Sequence, residues 1–145
     1  MIEQELYDHA VSLLSKRDYS SGDLRYQLST LSSDESVVDS VMEKLLSHHY
    51  VDDMRLIERE IEKQLAKLHG ESRIKQELRK KRLDVLLIEQ ALEDLDVDWF
   101  ELCQTAKEKK FGGDVPTDAK EKAKVIRYLQ YRGHAMGAIM EVLNP

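Results

Sequence analysis

Two prolines and six glycines in 145 residues leave few places where this chain must turn or stop. That scarcity argues against many short strands joined by tight turns and favours amphipathic helices. A single cysteine, Cys103, excludes an internal disulfide and points to a reducing compartment. No stretch approaches the roughly 20 apolar residues of a membrane span, and the opening MIEQELYDHA has no apolar signal core. A soluble, cytoplasmic protein without a membrane partner is the expectation. The glycines form no phosphate loop, since GES at 70–72 and FGGD at 111–114 lack either glycine-rich nucleotide frame. HExxH and paired cysteines are also missing, so no metal, no cofactor and no catalytic constellation is expected. Aromatics make up 6% of the chain, which disfavours base stacking on exposed rings.

Apolar residues instead recur at helical spacing along nearly the whole length. The stripes are Leu6, Ala10, Leu13 and Leu14; Leu24, Leu28 and Leu31; Val38, Val41, Met42 and Leu45; and Ile57, Ile61, Leu65 and Leu68. Ile74 and Leu78 follow, then Ile88, Leu92 and Leu95, then Trp99, Leu102, Cys103 and Ala106. Ala119, Ala123, Ile126 and Leu129 precede a last stripe of Met136, Ile139 and Leu143. Nine short helices are predicted. Ser20 with Asp23, and Asp118 with Glu121, have capping-box spacing. Gly70 and Gly133 stand where a helix would end in a left-handed residue. FGGDVPT, at 111–117, is the clearest loop.

The helices repeat. VDSVMEKL from Val38 aligns with IEQALEDL from Ile88, pairing Val41 with Ala91, Met42 with Leu92 and Leu45 with Leu95. IMEVL from Ile139 extends the series at a similar period, near 50 residues. The expected architecture is all-α: an elongated array of three tandem three-helix repeats, near 1–48, 49–95 and 96–145, forming one continuous unit.

The cluster His48-His49-Tyr50-Val51-Asp52-Asp53 falls at the first repeat boundary, and Val97-Asp98 occupies the matching place at the second. Asp52 or Asp53, and Asp98, are read as N-caps at the repeat junctions. Neighbouring histidines diverge on a helix, which disfavours chelation. Cys103 shares the apolar face of its helix and reads as a small buried hydrophobe. His9, His69 and His134 are scattered and are expected in solvent or at caps.

Net charge is −6, unevenly spread: −5 over 1–48, −1 over 49–95 and zero over 96–145. An acidic chain argues against a free-standing DNA binder. Basic residues nonetheless cluster. Arg73, Lys75, Arg79, Lys80, Lys81 and Arg82 fall within ten positions, and Lys75 and Arg79 are i,i+4 neighbours. Lys107, Lys109, Lys110, Lys120, Lys122, Lys124, Arg127 and Arg132 span the last repeat. Two readings stand side by side: solvated helix faces, or a surface for an acidic protein or for phosphates.

LLSKRDYSSGDLRYQL, at 13–28, resembles the opening of the RecX family. Tyr50-Val51-Asp52-Asp53 resembles its Tyr-Leu-Asp-Asp, Gly70, Arg73, Ile74, Glu77 and Leu78 fit its Gly-x-x-Arg-Ile-x-x-Glu-Leu, and Arg132-Gly133 fits its Arg-Gly-Phe. His134 stands where the family has Phe, so a weaker anchor for the last helix is expected. Arg82-Leu83 stands where Gly-Ile is common, so the turn there is expected to lack a left-handed glycine. The resemblance implies a non-enzymatic negative regulator of the RecA recombinase. Such a protein binds the RecA–single-stranded DNA filament and lowers its ATPase, strand-exchange and co-protease activities, with consequences for DNA repair, recombination and the SOS response. It would act as a monomer, with at most weak DNA contact of its own. Charge density assigns partner contact to Lys75, Arg79, Lys80 and Arg82, with Lys122, Lys124 and Arg127 secondary. The competing readings are a direct single-stranded DNA binder and a helical interaction scaffold.

Overall fold

A computed structural model describes residues 1–144. Among them are nine α-helices and no strand: α1 Glu3–Lys16, α2 Ser21–Leu31, α3 Glu35–Ser47, α4 Asp53–Ala66, α5 Glu71–Arg79, α6 Val85–Glu93, α7 Trp99–Phe111, α8 Ala119–Tyr131 and α9 Met136–Leu143. The helices form tandem three-helix repeats. None exceeds 14 residues, so none would be stable alone in water, and each depends on burying one face. The chain forms two compact units, residues 1–58 with 78–88, and residues 59–77 with 89 onward.

In the first unit α1, α2 and α3 pack against one another. Their core is Leu6 and Ala10, Leu24 and Leu28, and Val38, Val41, Met42 and Leu45, joined by Tyr19 and Val51. These are the i, i+3, i+4 positions of each helix, which is why three separate stripes close on one another. Each fully buried leucine contributes about 2 kcal/mol of transfer free energy. Caps set the starts: Ser20 Oγ accepts from Asp23 N at 3.0 Å, and Asp34 Oδ1 accepts from Ser36 N at 3.0 Å.

In the second unit α7, α8 and α9 pack together around Cys103, Ala106, Val125, Leu129, Ile139, Val142 and Leu143. The α8 stripe differs from the expected one. Ala119 and Ala123 are exposed, and Val125 takes the buried place beside Leu129. Val125 and Leu129 are four apart, and the larger side chain wins the core because it removes more apolar surface from water. Met136 is likewise exposed, leaving Ile139 and Leu143 to anchor α9. Lys107, expected on a basic surface, is 2% exposed. Its ammonium donates to the carbonyls of Gly112 and Asp114, at 2.8 and 2.6 Å, and so satisfies the C-terminal end of α7 and the FGGD loop.

Each unit contains one tight crossing between the start of one middle helix and the turn that ends the next. In the first unit, Ser20 Oγ donates to Lys81 O at 2.5 Å, and a Cβ on Gly22 would lie 2.3 Å from Arg82 O. Arg82 itself adopts the left-handed conformation, with φ 54°, so the turn that lacks the family glycine is made by an arginine. Its strain is offset by contacts of its own side chain: the guanidinium lies 3.9 Å over the Tyr26 ring, and Nε is 3.6 Å from Asp23 Oδ1. In the second unit, Gly70 N donates to Arg132 O at 2.9 Å. Gly70 does not have the expected positive φ; Leu68, with φ 62°, makes that reversal. Gly70 is required for clearance, because a Cβ there would lie 2.3 Å from Gly133 O. Gly133 is left-handed, with φ 92°.

Gly133→Ala combines positive φ with a Cβ placed 2.3 Å from Arg73 Cβ. It should lose about 2–4 kcal/mol of stability in urea unfolding. Gly137, in α9, has open space where a methyl group would stand, with nothing within 4 Å, so Gly137→Ala should instead gain about 0.5 kcal/mol. Equal effects at the two positions would contradict the crossing as the source of the constraint.

Candidate functional site

The exposed basic residues arise from different local causes. In the first unit, Arg79 ends α5, and Lys80 and Lys81 occupy the turn that follows; all three are exposed. Arg82 shares that turn but is engaged with Tyr26 and Asp23. In the second unit, Lys75 lies one helical turn from Glu71, with Nζ 3.4 Å from Oε1. Both partners are substantially exposed, so the pair adds little to stability and leaves the ammonium at the surface. On α8, Lys124 and Arg127 are exposed and three residues apart, hence on one face. Lys122 is half-buried and lies off that face, on the side of Val125.

The junction aspartates divide their work. Asp52 Oδ1 accepts from Arg55 N at 3.2 Å, and Asp98 Oδ1 accepts from Glu101 N at 3.1 Å, so each satisfies a free amide at a helix start. Asp53, already inside α4, reaches across the first unit instead. Its carboxylate accepts from Ser21 N at 2.7 Å and from the Ser21 hydroxyl, tying α4 to the start of α2. Beside them, His49 is left-handed at φ 59°, and the His48 and Tyr50 rings lie 5.9 Å apart. Among the described residues, no group of three or more His, Cys, Asp or Glu side chains is placed to hold a metal ion.

Two of the histidines expected in solvent or at caps, His69 and His134, are buried. His69 Nδ1 meets Gln64 Oε1, and Gln64 Nε2 donates to Glu60 Oε1 at 2.8 Å, a chain of three buried polar side chains in the second unit. The amide oxygen accepts, so Nδ1 carries the proton. Desolvation, with Arg132, Arg73 and Lys67 nearby, pushes the His69 pKa down to about 4; Glu77 opposes this. His134 Nε2 donates to Leu68 O at 2.9 Å, and burial lowers its pKa as well. This bond is what the histidine supplies in the place of a phenyl ring: it satisfies a carbonyl that the left-handed Leu68 leaves outside α4. Burial raises the Cys103 thiol to about 11, so it is not a thiolate at neutral pH. The burial of Lys107 was missed, although its place four residues beyond Cys103 on the same helix face was a signal for it. Nothing in spacing marked His69.

The family model described as the third three-helix domain of RecX matches residues 96–143. Regulatory protein RecX of Vibrio parahaemolyticus is 40% identical over 135 residues, covering 93% of this chain and 87% of that protein. Regulatory protein RecX of Acinetobacter baylyi is 43% identical over 135 residues, covering 93% and 84%. The crystal structure of RecX from Lactobacillus salivarius shares the fold, with a TM-score of 0.82 at 22% identity over 98% of this chain and 94% of that one.

The buried histidine has a measurable signature. The unfolded chain takes up a proton on His69 near the ordinary value of 6.5, whereas the folded chain resists it until about pH 4. Stability from this group is therefore complete above pH 6.5 and declines as the pH falls towards 4. His69→Gln should flatten the decline of the urea midpoint between pH 7 and 4.5. An unchanged pH profile in that variant would show that His69 is not the group responsible.

Proposed function

The chain belongs to the RecX family, and from that premise we propose that it is a non-enzymatic negative regulator of the RecA recombinase. It binds the RecA–single-stranded DNA filament and lowers the ATPase, strand-exchange and co-protease activities of that filament. The observation that carries the reading is the match to proteins named regulatory protein RecX over 93% of the chain. The chemistry of the side chains agrees with it. The buried titratable groups His69, His134 and Lys107 are committed to internal hydrogen bonds, and the Cys103 thiol is held neutral.

Contact with the filament is assigned to Lys75, Arg79, Lys80 and Arg82, with Lys122, Lys124 and Arg127 secondary. Arg79 and Lys80 are the leading pair, because both are exposed, at the end of α5 and in the turn that follows, and the backbone of that turn is held by Ser20. Cations fixed on a rigid turn lose less entropy on binding than cations on a mobile loop. Regulation then follows from differential affinity: the protein changes the filament only by binding one of its states more tightly than another.

The single-stranded-DNA-dependent ATPase of RecA should fall as this protein is added, at amounts well below RecA. Arg79→Glu with Lys80→Glu should raise the amount needed by about tenfold, a loss near 1.4 kcal/mol, with no change in melting temperature. Unchanged inhibition by that variant would remove the assignment of the turn. Tight DNA binding without RecA, falling steeply with salt, would favour the single-stranded DNA binder instead. An unaffected ATPase at excess protein would leave a helical interaction scaffold.

A further inference from the structure

The second unit holds a cavity of about 210 Å³ lined by Lys67, Leu68, Ala106, Lys109, Lys110, Tyr128 and Arg132. Four of its lining residues are cations and none is an acid. Lys67 follows the last residue of α4, Lys109 and Lys110 lie in the last turn of α7, and Arg132 caps α8. Cations at helix C-termini are ordinarily accounted for by the helix dipole. Three helix ends supply about −1.5 charges in total, well short of the four positive side chains. Several carbonyls at or just beyond those ends already have donors other than the three lysines that line the cavity. Lys107 satisfies Gly112 and Asp114, Arg132 donates to Lys67 O, His134 donates to Leu68 O, and Gly133 N donates to Gln130 O. None of these bonds uses the ammonium groups of Lys67, Lys109 or Lys110.

The cations are also held in place. The Tyr128 ring packs edge-on against Phe111, with centroids 5.3 Å apart, which fixes its plane. Lys110 Nζ and Arg132 Cζ sit 5.6 and 5.5 Å from that ring's centroid, where the π-system attracts them. Arg132 Nε is a buried side-chain donor with no hydrogen-bond partner among the described residues. A surplus of positive charge and a fixed aromatic wall meet at one concave site, which Arg132 also lines.

We propose that this cavity binds a phosphate group. A carboxylate brings one negative charge, whereas a phosphate monoester brings about −1.5 to −2 with three acceptor oxygens, which suits several converging cations better. The volume is below the ~300–1,000 Å³ of drug-sized sites and fits a phosphate with little of what carries it. The carrier is a free nucleotide or the backbone of a polynucleotide, which share this chemistry. The site shares no residue with the turn at Arg79 and Lys80, and it stands whether or not that turn contacts RecA.

The test is calorimetric titration of the full chain with sodium pyrophosphate, alongside amide chemical shifts. Saturable binding is expected, with the largest shifts at Lys109, Lys110 and Tyr128. Lys67→Ala with Lys109→Ala should weaken it at least tenfold, while Lys63→Ala with Lys120→Ala, which removes the same charge from the same unit, should change it less than twofold. Thermal melting checks that both variants fold. Non-saturable binding, shifts spread over all basic residues, or equal losses in the two variants would overturn the proposal. Adenosine triphosphate and a single-stranded oligothymidylate distinguish the carriers. Tighter binding of the triphosphate supports the site with a free nucleotide, and tighter binding of the oligonucleotide supports it with a polynucleotide backbone.

Discussion

Backbone clearance at Gly70 and Gly133 is the constraint on which the second unit depends. Gly70 N donates to the Arg132 carbonyl, a methyl group on Gly70 would strike Gly133 O, and one on Gly133 would strike Arg73. Around that contact, Arg73 Nη1 reaches Tyr131 O at 3.2 Å, His134 reaches Leu68 O, and Arg132 reaches Lys67 O. Two chain reversals are thus joined by their own carbonyls, which satisfies polar groups that short helices leave open at their ends. The first unit solves the same problem with different residues. Ser20 takes the place of Gly70 as donor, through its side chain, and Arg82 takes the place of Gly133 in the left-handed turn. A glycine makes such a turn without strain; the arginine makes it at a cost offset by Tyr26 and Asp23.

Burial of polar groups in this chain follows the same logic. Lys107, His69 and His134 lie in the interior of the second unit, and each has a hydrogen-bond partner at a helix end or a neighbouring turn. The cost of removing them from water is offset only by those bonds. They are therefore committed to architecture. Cations that are not so committed lie at the surface, where they can meet a charged partner.

Arg82 shows how closely architecture and surface charge are interleaved. Its backbone closes a turn, its guanidinium packs on Tyr26, and it belongs to the basic run that carries the proposed filament contact. Arg79 and Lys80, next to it in sequence, are exposed at the end of α5 and in its turn. Charge density along the chain treats these residues alike. The structure adds what that density does not show, that the Arg82 guanidinium is stacked on Tyr26 and faces Asp23.

Periodicity was enough to establish nine helices, because an apolar face every 3.6 residues has few other ways to leave water. It also placed Leu24, Leu28, Val41 and Leu45 in the core, and it marked Ser20 as a cap. It did not distinguish Ala123 from Val125 on α8, since both fit a helical stripe and only the neighbours decide which side is inside. The burial of His69, the left-handed Leu68, and the convergence of Lys67, Lys109, Lys110 and Arg132 were invisible in the linear chain. Each depends on residues tens of positions apart meeting at a turn. Local sequence determines the helices and their apolar faces because those are set by neighbours three and four residues away. Which turns meet, which polar groups are buried and where charge accumulates are decided only when the helices pack.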